Sequence, residues 1–172
     1  MTQERSGAIT FKGNPMTLLG QPVKVGDAAP DFRVVDNGLQ PVTLASGAGK
    51  IRLITVVPSL DTPVCDSMTR RFNQEAAQLP EQVEIYTVSL DLPFAQKRWC
   101  GNAGIERVKT LSDYQDRSFV LNYGLLIKEL KLAARAVLII DAKDRISYLQ
   151  LVPEVTAEPD YTAALAAVKA LL

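Results

Sequence analysis

Histidine is missing from all 172 residues. That removes the usual base of Ser-His-Asp and Cys-His hydrolases and one of the two best ligands of zinc. Cysteine occurs only twice, which is too few for a disulfide scaffold and cannot by itself complete a four-ligand structural zinc site. Charge of one sign is not in excess: 19 Lys and Arg balance 19 Asp and Glu, so neither nucleic acid nor an anionic membrane is expected as a partner. The isolated Arg70-Arg71 pair reads as a solvated helix face. No run approaches the roughly 20 apolar residues that span a bilayer. The polar start, MTQERSGAITFKGNP, lacks the apolar centre of a secretory signal. The expected setting is cytoplasmic. Chemistry here has to run on thiols, carboxylates, hydroxyls or cations, and neither a metal nor another cofactor is expected.

What is present is an ordinary globular mixture, 47% apolar and 22% charged. No repeat, low-complexity run or linker divides it, so residues 1–172 are read as one domain. The first 20 residues suggest a hairpin: AITFK alternates, GNP turns the chain and MTLLG returns. DFRVVD and PVTLAS follow as short strands around an Asn37-Gly38 turn signal. IRLITVV (51–57) is continuous, apolar and β-branched, the pattern of a strand buried on both faces. After Pro63 the period becomes helical, with Met68, Phe72, Ala76 and Leu79 on one face. VEIYTVSL (83–90) is a strand, PFAQKRW a short helix and RVKTLSD another strand. DRSFVLNYG is a helix stopped by Gly124. ARAVLIID and RISYLQLV form an antiparallel pair, and a last helix places Tyr161, Leu165, Val168 and Leu172 on one face. This order predicts an α/β, thioredoxin-like fold: a mixed central sheet flanked by helices, with an N-terminal β-hairpin added.

The stretch PSLDTPVC (58–65) sets a cysteine just past the buried strand. A helix starting near Pro63, with Asp61 or Thr62 as N-cap, puts Cys65 in its first turn. Free backbone N–H groups and the positive end of the helix dipole meet there, and both favour thiolate over thiol. Asp66 opposes this, so a cation from elsewhere would be needed. The plain alternative is a buried, inert cysteine, among the commonest of core residues. Cys100 stands 35 residues away at the end of a short helix, so the pair is not a C-x-x-C motif.

PSLDTPVC fits the peroxiredoxin pattern of proline, three residues, threonine, two residues, cysteine. With FKGNPMTLLG, DLPFAQKRWC, KLAARAVLIID and EPDYTAALAAVKALL in the same order, nearly the whole chain resembles the peroxiredoxin family. Within it the likeness is to the atypical two-cysteine branch, the thiol peroxidases. The resemblance implies that Cys65 is the peroxidatic cysteine and Cys100 the resolving one. Pro58 and Thr62 match the other motif positions, and Arg135 matches the arginine that completes the site. It further implies hydrogen peroxide and alkyl or lipid hydroperoxides as substrates, an intrachain disulfide, thioredoxin as reductant and a homodimer. Leu125, Leu126 and Ile127 would then belong to an interface or to a core turn.

In that scheme Arg135 is the missing cation, and Thr62 can accept the peroxide's proton while donating toward sulfur. Pro58, without an N–H, roofs the sulfur. Each residue also has a plainer role: Thr62 as a cap, Pro58 as a strand end, Arg135 as the partner of a surface carboxylate. The rival function is a thiol redox sensor or disulfide-handling protein that uses the same pair without rapid turnover. Bringing the two cysteines to disulfide distance is expected to unwind either the first turn after Pro63 or the helix of Cys100, with Gly101–Gly104 lending freedom.

Overall fold

The computed structural model describes residues 2–172. Strands β1 (Glu4–Phe11) and β2 (Asn14–Leu19) form the expected hairpin, but its turn is Lys12-Gly13 rather than Gly13-Asn14-Pro15. Both turn residues have positive φ, 50° and 81°, the geometry whose twist suits two strands joined by a two-residue loop. Asn14 and Pro15 already belong to the return strand. The hairpin is no appendage, since Ile9 and Leu18 are buried. It continues into a four-stranded sheet through β8 (Leu126–Ile127) and β9 (Leu132–Ala133).

β3 (Arg33–Val35) and β4 (Pro41–Thr43) pair across the Asn37-Gly38 turn, where Asp36 Oδ1 accepts the Gly38 and Gln40 N–H groups. β5 (Ile51–Val56) is buried along its whole length, as its unbroken apolar run predicts. Helix α1 (Pro63–Ala76) follows, then β6 (Val83–Ser89), α2 (Pro93–Ala103), β7 (Val108–Ser112) and the short α3 (Ser118–Asn122). After β8 and β9 come β10 (Ala136–Ile140), β11 (Ile146–Leu151) and α4 (Tyr161–Lys169). The main sheet has seven strands in the order β11-β10-β5-β6-β7-β3-β4. β5, β6 and β7 run parallel and the outer pairings are antiparallel, so the sheet is mixed.

Strand alternation divides the core into two layers. Leu53, Val137 and Ile139 face Met68, Phe72, Ala164 and Val168 of α1 and α4. Ile54, Val56, Leu138 and Ile140 face the hairpin and α3, meeting Ile9, Leu18 and Phe119. Each large side chain fully buried in this way contributes about 1.5–3 kcal/mol.

Two expectations change in detail, and one pair of alternatives is decided. α4 ends at Lys169, so Leu172 leaves the apolar face and is 53% exposed. α2 runs past Trp99 to Ala103 and stops where Gly104 turns left-handed at φ 68°, so Cys100 and Gly101 lie inside the helix. Leu125, Leu126 and Ile127 are buried in the core, which is the core-turn alternative.

Candidate active site

The loop after β5 reaches α1 through Pro58, Ser59 and Leu60, and a carboxylate from the next crossover fastens it. Asp91, just before α2, accepts the Ser59 hydroxyl at 2.7 Å and the Leu60 N–H at 2.9 Å. A third bond, from Ser89 Oγ at 2.7 Å, orients the same carboxylate. Thr62 is the N-cap residue, with extended φ and ψ of −100° and 147°, and Pro63 takes the first helical position. The Thr62 side chain does not cap the helix. Its hydroxyl donates to Ser59 O at 3.1 Å, which leaves the oxygen's lone pairs as acceptors and sends no hydrogen toward sulfur.

Cys65 is the third residue of α1 and is fully buried among Val57, Leu60 and Met68. Asp66 points elsewhere. Its carboxylate receives Arg70 Nε at 2.8 Å and Trp99 Nε1 at 3.0 Å, so its charge is paired one turn along the helix. The signal was legible in the Asp-Arg i,i+4 spacing. Arg70 and Arg71 are thus exposed but not idle, for the Arg71 guanidinium lies 4.7 Å from the Tyr161 ring centre.

Arg135 arrives from the short connection between β9 and β10. It is 2% exposed, and its Nε donates to Val155 O at 2.8 Å. One terminal nitrogen lies 3.7 Å from Met68 Sδ, one turn along from Cys65. Among the described residues no carboxylate stands within ion-pair distance of it, so it is not the partner of a surface acid. Removing a guanidinium from water without a counter-charge is costly, and such a group is an anion site in waiting.

Arg135, Pro58 and Thr62 come together on the wall of one cavity of about 470 Å³. The rest of that wall is largely apolar: Phe11, Val64, Leu130, Leu132 and Val155, with Lys12 and Thr156. Cys65 lies just behind this lining in sequence, after Thr62, Pro63 and Val64. These apolar wall residues come from distant segments and carry no local signal. Phe11 and Lys12 arrive through the hairpin turn. Val155 arrives on a loop pinned by Glu154, whose carboxylate accepts Thr10 Oγ1 and Gly13 N on one side and Thr156 N and Oγ1 on the other. Those bonds hold the Glu154 carboxyl well below its usual range, at about 2.

Cys100 is elsewhere. It is half-buried and faces a second cavity of about 310 Å³ with Asn37, Lys109 and Thr110. Its sulfur is 3.3 Å from Thr110 Oγ1, and that hydroxyl donates to Asn37 Oδ1 at 3.0 Å. Both cysteines are free thiols, and they share neither a cavity wall nor a hydrogen-bond partner.

Comparisons with known proteins bear on family and fold. Residues 24–165 match the Redoxin family model. A thiol peroxidase from Halalkalibacterium halodurans is 61% identical over 96% of this chain and 99% of its own. One from Bacillus subtilis is 54% identical over 95% and 98%. The crystal structure of a peroxiredoxin-like protein from Aquifex aeolicus, 43% identical, superposes with a TM-score of 0.91 over 99% of both chains. The expected thioredoxin-like architecture is therefore the observed one, and the chain belongs to the thiol peroxidases, peroxiredoxins of the redoxin family.

Proposed function

We propose that the protein is a thiol-dependent peroxidase acting on hydrogen peroxide and on alkyl or lipid hydroperoxides. The observation that carries this is the buried Arg135 guanidinium, without a carboxylate partner among the described residues, on one cavity wall with Thr62 and Pro58 beside the helix start that bears Cys65. Relatives that are 61% and 54% identical bear the name thiol peroxidase, which supports the same activity.

In this reading the Cys65 thiolate attacks the terminal peroxide oxygen. Sulfur supplies the electron pair, the O–O bond breaks, and the alkoxide or hydroxide leaves and takes a proton. Arg135 stabilises the charge that grows on the departing oxygen. Thr62, its hydrogen committed to Ser59, accepts the peroxide O–H and so orients it. Pro58, buried and without an N–H, shields the sulfur from water. The sulfenic acid then condenses with the Cys100 thiol, giving a 65–100 disulfide and water. A thioredoxin dithiol reduces that bridge by exchange. The apolar wall favours substrates with a hydrocarbon body. A cytoplasmic setting and a homodimeric assembly complete the reading.

Consumption of cumene hydroperoxide with thioredoxin, its reductase and NADPH tests it. Cys65→Ser should abolish turnover. Cys100→Ser should remove about one equivalent of hydroperoxide and stall. Full burial of Cys65 favours the rival, a redox sensor with one slow burst. Sustained wild-type turnover excludes that rival, and a wild-type burst followed by nothing establishes it.

A further inference from the structure

Three contacts join the helices that carry the cysteines, and the proposed peroxidase chemistry uses none of them. Trp99, next to Cys100 on α2, donates its indole N–H to Asp66, next to Cys65 on α1, at 3.0 Å. Arg70 on α1 donates to Asp66 at 2.8 Å and reaches across to Ala103 O, in the last turn of α2, at 3.3 Å. Its guanidinium also lies 5.8 Å from the Trp99 ring centre. The Asp66 carboxylate is thereby satisfied from both helices at once, and the contacts on α2 flank Cys100 on either side.

Nothing comparable holds Cys100 itself. Among the described residues its one side-chain hydrogen-bond partner is Thr110, and its helix carries Gly101 internally and ends at Gly104. α2 also presents little apolar surface to the core: of its eleven residues only Pro93 and Gln96 are buried, and in its C-terminal half the half-buried Trp99 ring alone packs on the core cluster. The Trp99 ring and the polar clasp to α1 are therefore what chiefly keep its C-terminal half in place.

We propose that Trp99, Asp66 and Arg70 form a latch that keeps the Cys100 helix in its dithiol position, and that opening this latch limits disulfide formation without affecting the peroxide step. The inference rests on the peroxidase reading, since it concerns the second chemical step of that cycle. In that step Cys65–SOH and Cys100–SH become a disulfide and water, the oxidising equivalent having come from the hydroperoxide. Trp99 and Asp66 are positioning residues, for neither lines the cavity that holds Arg135.

The test separates the two steps by rapid quench and mass spectrometry, following dimedone-trapped sulfenic acid and the 65–100 disulfide after one equivalent of hydrogen peroxide. Trp99→Phe keeps a smaller aromatic ring beside Arg70 and on the core while deleting the N–H donor; Asp66→Ala deletes the shared acceptor and leaves the indole in place. Loss of a hydrogen bond to a charged acceptor should speed condensation about tenfold in either variant. Sulfenic acid formation should change by less than about twofold. Combining the two substitutions should add little, because both open the same contact. Condensation that is unchanged or slower in Trp99→Phe overturns the latch, and Trp99→Phe decides alone if Asp66→Ala does not fold. If wild-type protein forms neither sulfenic acid nor disulfide, the peroxidase reading itself fails, a result distinct from equal rates.

Discussion

The two cysteines occupy adjoining helices but are held by different forces. Cys65 sits on a helix whose inner face packs Met68, Phe72 and Ala76 into the sheet, and the loop before it is tied down by Asp91. Cys100 sits on a helix whose first half is held by the buried Gln96 amide, donating to Ser89 and Leu111, while its second half relies on the half-buried Trp99 and on hydrogen bonds near the surface through Trp99 and Thr110. Apolar burial is not directional, but it is large and tolerates small shifts. Single hydrogen bonds contribute about 1 kcal/mol each and are exchanged for water with little net loss when they lie near solvent. A cycle that needs one sulfur held in place and the other free to travel calls for that division. Local opening free energies are lowest where apolar contacts are few.

The sharpest way to break the comparison is to replace Arg135 by Leu. Removing a buried cation that has no carboxylate partner among the described residues should leave the fold intact or firmer. The rate of sulfenic acid formation should fall about 10²–10³-fold, the cost of deleting one preorganised charge stabiliser. Alkylation of Cys100 should not change. A variant that loses stability but keeps its peroxide rate would return Arg135 to a purely structural role.

Asp113 offers the next largest effect, on the Cys100 side. It lies just past β7, the strand that carries Thr110, and is 1% exposed. Burial pushes its carboxyl up to about 6, although the Phe119 and Val120 N–H groups that it accepts favour the ionised form. A carboxyl raised on folding binds its proton more tightly in the native state. Its contribution is complete below the unfolded value near 3.8 and is lost as pH rises through about 6. Wild type should therefore gain about 2 kcal/mol over Asp113→Asn between pH 7 and pH 4, read by urea unfolding. A pH-independent difference would show that the acid is solvated after all.

Much of this contrast was legible in the residues alone, for local reasons. Strand burial, the helix start at Pro63 and the place of Cys65 in the first turn depend on neighbours a few positions apart, where period and capping rules operate. That the Asp66 carboxylate is paired, not bare beside Cys65, is only half legible: Arg70 stands at i,i+4, whereas Trp99 is 33 residues distant. The first hairpin turn starts one residue earlier than Gly-Asn-Pro suggests, because Asn-Pro is a strong turn signal whereas Lys at positive φ is uncommon. Val155 could not be found at all. A backbone carbonyl has no side-chain signature, and the bond to Arg135 spans 20 residues.

A smaller effect is expected at Thr110. The Thr110 hydroxyl gives its hydrogen to Asn37, so toward Cys100 it acts as acceptor of the thiol S–H. Thr110→Val deletes that acceptor and should raise the rate of Cys100 alkylation by iodoacetamide about fivefold, the worth of one weak bond. Cys65 should alkylate as in wild type. If the two sulfurs respond alike, their environments are coupled and the division drawn above is wrong.

Glu154 gives the smallest effect and the finest test on the Cys65 side. Its carboxylate clasps the hairpin turn to the loop whose Val155 carbonyl holds Arg135, so it acts on the cation through two intermediaries. With the carboxyl lowered to about 2 by four donors, its contribution is present above the unfolded value near 4.5 and disappears as pH falls through about 2. Glu154→Gln should accordingly be less stable than wild type at pH 7, and the gap should close on acidification. Asp113→Asn behaves oppositely, falling further behind wild type as acid is added. At neutral pH the peroxide step of Glu154→Gln should slow about threefold, because Arg135 keeps its bond to Val155 while the loop beneath gains freedom. Its Michaelis constant for cumene hydroperoxide should rise more than its turnover falls, since Phe11, Lys12 and Thr156 line the same cavity wall and would move with the clasp. An unchanged Michaelis constant would mean that the hairpin holds the wall without help from Glu154, leaving packing of Ile9 and Leu18 to do so.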